Sequence, residues 1–203
     1  RKVQRVLLPR ILDVVFDLLE LMDGGEDDKE IELLILDFEK AFWHIPVHPT
    51  ERPFLTFKLK GKWYVFLRVP QGSRGAPLDW ARTAALTSRL TQAMCDPKEL
   101  RMSTYVDDPI IAARGTKEQR DTLYALVVLS WLCLGFSLQF PKAQRQGLGQ
   151  AVTWTSGKFT VLKGRIQVAI KEEIVTAVRD TLGKFEESNV IVRKELEEFV
   201  GRC

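Results

Sequence analysis

The stretch Tyr105-Val106-Asp107-Asp108 limits the folds open to this chain more than any other part of the sequence. Apolar residues alternate before it, and Ile110-Ile111-Ala112 follows it, so the pattern predicts a β-hairpin with two carboxylates at its tip. Adjacent carboxylates repel each other, and a hard divalent cation such as Mg²⁺ relieves that repulsion with its preferred oxygen ligands. Acid pairs are also common as solvated turn residues, so the hairpin alone leaves both interpretations open.

A third acid, Asp37, lies at a position where burial would make a carboxylate unfavourable. The run Leu33-Leu34-Ile35-Leu36 is apolar on both faces, which is typical of a strand buried in a central sheet, and it ends at Asp37. A carboxylate at the end of a buried strand is unfavourable unless it has a partner or a function. Asp37 therefore favours the functional interpretation of the acid pair.

The remaining pattern predicts helices and hairpins around these acids. One helix follows Pro9 and ends at Gly24-Gly25, before a solvated loop, Glu26-Asp27-Asp28-Lys29-Glu30. The other predicted elements are hairpins at 54–67 and 152–162, the second with a Ser156-Gly157-Lys158 turn, and helices from Pro77 past Met94, from a Thr116/Gln119 capping box to Gly135, around Ile174 to Phe185, and around Leu196 to Val200.

Composition sets broad limits. The chain has 203 residues, enough for one domain or part of one, and its net charge of +3 allows a nucleic-acid partner without requiring one. Cys95, Cys133 and Cys203 form no metal-binding or disulfide pattern. We find no signal peptide, and the most apolar run, at 123–136, is too short to span a bilayer. These features predict a soluble intracellular protein, cytoplasmic or nuclear, that does not act at a membrane.

Taken together, residues 33–162 resemble the palm of reverse transcriptases. The resemblance rests on the order and spacing of several motifs, and the sequence of residues 41–47 is more similar to retrotransposon enzymes than to group II intron enzymes. The motifs are Asp37-Phe38-Glu39-Lys40-Ala41-Phe42, the loop Pro70-Gln71-Gly72-Ser73-Arg74-Gly75-Ala76-Pro77, the YxDD signature at 105–108, a Gly…Lys segment at 135–142, and a primer-gripping hairpin at 154–162.

This resemblance implies an α+β fold: a polymerase palm with a small antiparallel sheet backed by helices, incomplete fingers and the start of a thumb. The implied division is an N-terminal helix and acidic loop at 1–32, the palm with an inserted fingers segment at 33–162, and a helical start of the thumb at 163–203. We expect the chain to be a fragment that binds primer–template weakly and polymerises poorly alone.

The implied activity is RNA-directed DNA polymerisation, a nucleotidyltransferase reaction with two Mg²⁺ ions, or Mn²⁺ in their place. The implied partners are dNTP and an RNA/DNA primer–template. Asp37 and Asp107 would bridge the metals, the Phe38 backbone carbonyl would add a ligand, and Asp108 would be a weaker flanking acid. The sequence predicts no oligomeric state.

The resemblance assigns further roles to residues around the acids. Phe42 would exclude a ribose 2′-hydroxyl by its bulk, although core packing is its ordinary alternative. Gln71 and Gly72 would contact dNTP and template. Lys142 is either the acid that neutralises pyrophosphate or a solvated charge. On the primer side, Tyr105 would support the hairpin, and Gly157 and Lys158 would lie along the primer backbone.

Two departures from the family pattern keep an alternative open. Pro109 stands where the family has a bulky apolar residue, which puts the hairpin geometry in doubt, and basic fingers strands are not evident before Asp37. The alternative is a decayed or domesticated palm that binds nucleic acid without polymerising. An RNA-dependent RNA polymerase is disfavoured by the aromatic residue at position 42.

Overall fold

The computed structural model describes residues 6–23, 30–187 and 192–200. Gly24-Gly25, most of the predicted acidic loop and Cys203 lie outside the described residues. Short 3₁₀ helices cover Ala41–His44, Arg52–Phe54 and Phe140–Lys142. The helices and strands, in chain order, are α1 (Ile11–Met22), β1 (Glu30–Ile35), β2 (Thr56–Leu59), β3 (Lys62–Val65), α2 (Ala76–Ala93), β4 (Leu100–Tyr105), β5 (Asp108–Gly115), α3 (Lys117–Cys133), β6 (Gln144–Gln146), β7 (Ala151–Trp154), β8 (Gly157–Leu162), β9 (Arg165–Ile170), α4 (Glu172–Glu187) and α5 (Arg193–Val200).

An antiparallel sheet with the order β4-β5-β1-β6 organises the chain. The predicted buried strand is β1, and its residues from Ile31 to Ile35 are buried. In the β1–β5 pairing, Ile35 lies opposite Ile110. Because the two strands run antiparallel, the segment after β1 arrives beside the tip of the β4–β5 hairpin.

Helices α2 and α3 cover one face of this sheet. Leu34 and Leu36 face them and form a core with Trp80 and Trp131. Helix α3 begins at the predicted capping box, where the Thr116 side chain accepts a hydrogen bond from the Gln119 amide. The sequence therefore predicted this helix and its start correctly.

Helix α1 and a second antiparallel sheet, β7-β8-β9, cover the other face. Leu18 from α1, Ile110 from β5, and Trp154 and Phe159 from the second sheet belong to one core. Both faces of β1 and β5 are consequently packed, which explains why these strands are apolar throughout rather than alternating.

The turn of the β7–β8 hairpin does not lie where it was predicted. Its turn consists of Thr155 and Ser156, and Thr155 has a left-handed φ of 50°. Gly157 and Lys158 are the first residues of β8, so the turn begins one residue earlier and ends two residues earlier than the predicted Ser156-Gly157-Lys158 turn. Strand β9, which pairs with β8, was not predicted.

The β2–β3 hairpin forms a small separate sheet with exposed residues along both strands. Its turn is Lys60-Gly61, and Lys62, which the sequence predicted to lie in the turn, is the first residue of β3. The rings of Phe57 and Tyr64 stack at 5.4 Å, and Phe57 lies 4.8 Å from Phe66. The first strand of the hairpin is shorter than predicted, because Pro53 lies in a 3₁₀ helix, Arg52–Phe54, that precedes the strand.

Pro109 is accommodated within a central strand. The Leu36 amide donates to the Pro109 carbonyl at 3.1 Å, but a proline has no N–H to complete the reciprocal pair. The β4–β5 hairpin nevertheless closes, with Tyr105 opposite Asp108. The unusual proline therefore coexists with the predicted hairpin.

The α+β architecture predicted from the sequence, a small antiparallel sheet backed by helices, is confirmed. The division at 1–32, 33–162 and 163–203 stays a prediction. No helix in the described parts of the chain has the length and apolar character needed to cross a membrane.

Candidate active site

The tip of the β4–β5 hairpin is a turn of two residues, Val106 and Asp107, with Asp108 as the first residue of β5. Val106 has a left-handed φ of 56°, a conformation that β-branched residues rarely adopt. Asp107 and Asp108 are both partly buried. The predicted hairpin with two carboxylates at its tip is therefore present in the structure.

Asp37 reaches the same place from β1. The Phe38 amide donates to the Asp107 carbonyl at 3.0 Å, and the β1–β5 register continues to place Asp37 beside Asp108. On its other side, the Asp37 carbonyl accepts from the Gln139 amide at 2.9 Å. Backbone hydrogen bonds to two different segments thus fix the position of this third acid.

Neighbouring negative charge adds to the effect of burial on the pKa values of Asp107 and Asp108. Burial raises the pKa of Asp107, and the charge of Asp37 raises it further. Burial also raises the pKa of Asp108, with added contributions from Asp107 and Asp37. Negative charge is therefore concentrated here at neutral pH, and a cation would relieve it.

Lys142 supplies one such positive charge. It ends the 3₁₀ helix Phe140–Lys142, and its Nζ lies 2.7 Å from Oδ2 of Asp37. The hydrogen bond to Asp37 raises the pKa of Lys142, so the ammonium stays charged at neutral pH. The side chain thus contacts Asp37 although it is largely exposed, and both interpretations that the sequence left open for Lys142 stay predictions.

Two buried tryptophans contact the backbone of the turn. Nε1 of Trp80, in α2, donates to the Val106 carbonyl at 2.7 Å. Nε1 of Trp154, at the end of β7, donates to the Asp108 carbonyl at 2.8 Å. Both residues lie in elements that were predicted from the sequence, but these contacts were not predicted, because no periodicity indicates where an indole N–H is directed.

Phe38 and Phe42 follow Asp37 but differ in environment. The Phe38 ring is buried against Trp80, Trp131 and Phe136, so only its backbone is available beside Asp107. Phe42 lies in the 3₁₀ helix Ala41–His44 and is partly buried between two hydrophobic clusters. Its predicted role as a steric gate stays a prediction.

The other predicted contact residues occupy three places. Gln71 and Gly72 are exposed in the loop before α2, and Gly72 has a φ of 90°. Tyr105 is exposed at the end of β4, with its ring against Trp154. Lys158 is exposed, whereas Gly157 is buried, and a Cβ there would lie 3.2 Å from Ile11 Cδ1.

The three acids are the candidate metal ligands of this site. Within residues 6–23, 30–187 and 192–200, no three His, Cys, Asp or Glu side chains come close enough together to hold a metal ion. The donor chemistry nonetheless fits Mg²⁺, because Asp37, Asp107 and Asp108 offer only carboxylate oxygens, and the charge of Asp37 acts on both acids of the hairpin tip. In the structure, Nζ of Lys142 donates a hydrogen bond to Oδ2 of Asp37.

A family model described as reverse transcriptase (RNA-dependent DNA polymerase) matches residues 1–145. The matched range includes all three acids and Lys142. It covers most of the chain and ends before the β7-β8-β9 sheet.

Solved structures with a similar fold include three of foamy viral protease-reverse transcriptase. The dRH form in complex with double-stranded DNA has a TM-score of 0.63 at 18% identity, over 100% of this chain and 30% of that chain. The complex with an RNA/DNA hybrid has a TM-score of 0.58 at 18% identity, over 91% and 22%. A further complex with double-stranded DNA has a TM-score of 0.54 at 19% identity, over 91% and 34%. This chain therefore spans about a third or less of the solved chains that it resembles.

Proposed function

The chain belongs to the reverse transcriptase (RNA-dependent DNA polymerase) family, and from that premise we propose that it is the catalytic palm of a retroelement polymerase. The reaction is attack of a primer 3′-hydroxyl on the α-phosphorus of a dNTP, with release of pyrophosphate. One observation carries this proposal. The Phe38 amide bonds the Asp107 carbonyl at 3.0 Å, and this joins Asp37 to the Asp107-Asp108 turn.

Enzymes of this family generally use divalent metal ions. Asp37, Asp107 and the Phe38 carbonyl would hold two Mg²⁺ ions, or Mn²⁺ in their place, and Asp108 would flank them. Bound there, such ions supply Lewis acidity to the attacking and leaving oxygens of the displacement. The concentrated negative charge of the turn supports this assignment.

Lys142 holds a proton at Nζ next to the acids. Its side chain is 64% exposed, so it is accessible to a substrate as well as to Asp37. A charged lysine in this place would neutralise the leaving pyrophosphate. This extends the role of Lys142 from partner of Asp37 to contact of the reacting phosphates.

Primer–template and dNTP would approach the exposed side of the hairpin tip. The exposed Gln71-Gly72 loop would contact dNTP and template, and Phe42 would limit the space for the sugar. Tyr105 and the exposed Lys158 would lie on the primer side. The buried Gly157 would act there through its backbone, because it has no side chain and packs against Phe159 and Ile11.

Primer extension tests this function. We expect Asp37→Asn and Asp107→Asn each to reduce Mg²⁺-dependent extension of oligo(dT) on poly(rA) more than about a hundredfold, because each removes a charge that stabilises the transition state. Asp180→Asn is the matched control, since it makes the same chemical change on the exposed side of α4. The assay is run on this chain and on a longer protein that contains it.

The outcomes separate the polymerase from the decayed palm. Extension by either site variant within about tenfold of the parent would contradict the metal assignment. Parent proteins of both lengths that bind primer–template yet never extend it would support the decayed palm. The presence of all three acids favours the polymerase.

A further inference from the structure

We propose that Trp80 and Trp154 are positioning residues, whose indole N–H groups fix the Asp107-Asp108 turn in the shape that binds metal. This inference rests on the proposed function, because it assumes that the turn holds a divalent cation. It assigns to two core residues a role that packing alone does not require.

The carbonyl groups of three consecutive residues, Val106, Asp107 and Asp108, each accept a hydrogen bond from a different part of the fold. The Val106 carbonyl accepts from Trp80 in α2, at 2.7 Å. The Asp107 carbonyl accepts from the Phe38 amide after β1, at 3.0 Å. The Asp108 carbonyl accepts from Trp154 in β7, at 2.8 Å. Each peptide group around the acids is therefore held separately.

The two tryptophans approach from opposite faces of the central sheet. Trp80 belongs to the core beneath α2 and α3, and Trp154 belongs to the core shared with α1. Each side chain is 1% exposed, and a buried N–H that lacks an acceptor is costly. Rotation of either carbonyl away from its indole would leave such a donor unpaired, so both cores oppose movement of the turn.

The backbone conformation of the turn needs this restraint. Val106 has a φ of 56°, and a β-branched residue keeps a left-handed conformation only where its surroundings impose it. The bond from Trp80 falls on the carbonyl of this same residue. Without it, we expect the turn to sample other conformations in which the carboxylates of Asp107 and Asp108 diverge.

Trp131 provides an internal comparison. It is 0% exposed in the same core as Trp80, and its Nε1 donates to Thr91 Oγ1 at 2.8 Å. This indole therefore has the same burial and the same kind of bond, but its acceptor lies in α2 rather than in the turn. Loss of its N–H should perturb the core without moving the acids.

The experiment replaces each of the three tryptophans in turn with 3-benzothienylalanine, in which sulfur takes the place of the N–H and the ring shape is kept. Mn²⁺ binding to the 203-residue chain is followed by electron paramagnetic resonance, and unfolding in urea is measured for every variant. We expect the dissociation constant for Mn²⁺ to rise about threefold to tenfold for Trp80 and Trp154, the range that one lost hydrogen bond gives. For Trp131 we expect a change of less than about twofold.

Asp107→Asn distinguishes failure of this inference from failure of the proposed function. If Asp107→Asn loses Mn²⁺ but the variants at Trp80 and Trp154 bind it as the parent does, the positioning role is overturned and the metal site stands. Weakening at Trp131 equal to that at the other two would also overturn the role, because the effect would then be a general one on the core. If Asp107→Asn binds Mn²⁺ like the parent, the metal site itself fails.

Discussion

The carboxyl groups of Asp107 and Asp108 lie where burial and neighbouring negative charge both raise their pKa values. A carboxyl whose pKa is higher in the folded chain than in the unfolded chain binds its proton more tightly when folded. Its contribution to stability is therefore full below the unfolded pKa and is lost as the pH rises through the folded pKa. At neutral pH, without a metal, both acids destabilise the fold.

Neutral substitutions of these acids should consequently stabilise the metal-free protein at pH 7. We expect Asp107→Asn and Asp108→Asn to raise the free energy of unfolding measured in urea with a chelator present, and this gain should shrink as the pH falls towards the ordinary aspartate pKa of about 4. Asp180→Asn, on exposed α4, should show no such trend. Lower stability of both site variants at pH 7 would contradict this account of the turn.

Phe42 is the residue at which packing and selectivity make different predictions. If it excludes the 2′-hydroxyl by bulk, Phe42→Ala should lower the ratio of dNTP to rNTP incorporation efficiency. Ile45→Ala is the matched control, because Ile45 is partly buried against the same two clusters. An unchanged ratio for Phe42→Ala, or an equal fall for both variants, would mean that Phe42 serves only in packing. Either result would reopen the RNA polymerase alternative.

Individual residues also show which parts of the candidate site could be predicted from the sequence. Asp37 was identifiable because an acid that ends a buried apolar strand is energetically anomalous. The contact of Lys142 with Asp37 spans 105 residues of sequence, and only the fold brings the two side chains together. The same holds for the indole N–H groups of Trp80 and Trp154, whose acceptors no local pattern indicates.

At the level of elements, segments with long apolar patterns or a capping box were predictable from the sequence, and two short or exposed strands, β6 and β9, were not. Strand β1, the β4–β5 hairpin and α3 carry long apolar patterns or a capping box, and each forms, although β1 begins at Glu30, which was predicted to lie in the solvated loop. Strand β6 has three residues, Gln144–Gln146, with no apolar pattern at all. Strand β9 does alternate, through Ile166, Val168 and Ile170, but it is a largely exposed edge strand, and its pattern was overlooked.

The attachment of α3 to β1 depends on buried charge. Nε of Arg120 lies 3.1 Å from Oε2 of Glu32, and the two side chains are 9% and 10% exposed. Arg120 also donates to the Gly115 carbonyl at 2.6 Å. Arg145 pairs with Glu32 as well, so the carboxylate keeps one partner if the other is removed.

We expect Arg120→Gln to lower the free energy of unfolding by roughly 2 kcal/mol, since it removes a buried hydrogen bond to a charged group while Arg145 stays paired with Glu32. Lys117→Gln is the control on the same helix, because its pair with Asp121 is exposed and should contribute little. Urea unfolding of both variants at neutral pH measures the difference. Equal, small effects would mean that water or Arg145 replaces Arg120 at no cost.

For the molecule as a whole, the central sheet and its two packed faces serve to bring distant acids together. Asp37 follows β1, Asp107 and Asp108 belong to the β4–β5 hairpin, and hydrogen bonds from both faces hold the turn between them. The fold is similar to that of the foamy viral enzymes over about a third or less of their length. The central claim is that these three acids form one divalent metal centre.

Cleavage of the backbone by bound iron tests that claim most directly. Fe²⁺ takes the place of Mg²⁺ in the 203-residue chain, and ascorbate with hydrogen peroxide then produces radicals that cut the chain close to the ion. The account predicts cuts near Asp37 and near Asp107 together, suppressed by excess Mg²⁺ and lost in Asp107→Asn but kept in Asp180→Asn. Cuts at only one of the two segments, or cuts at both that persist in Asp107→Asn, would contradict a shared metal centre.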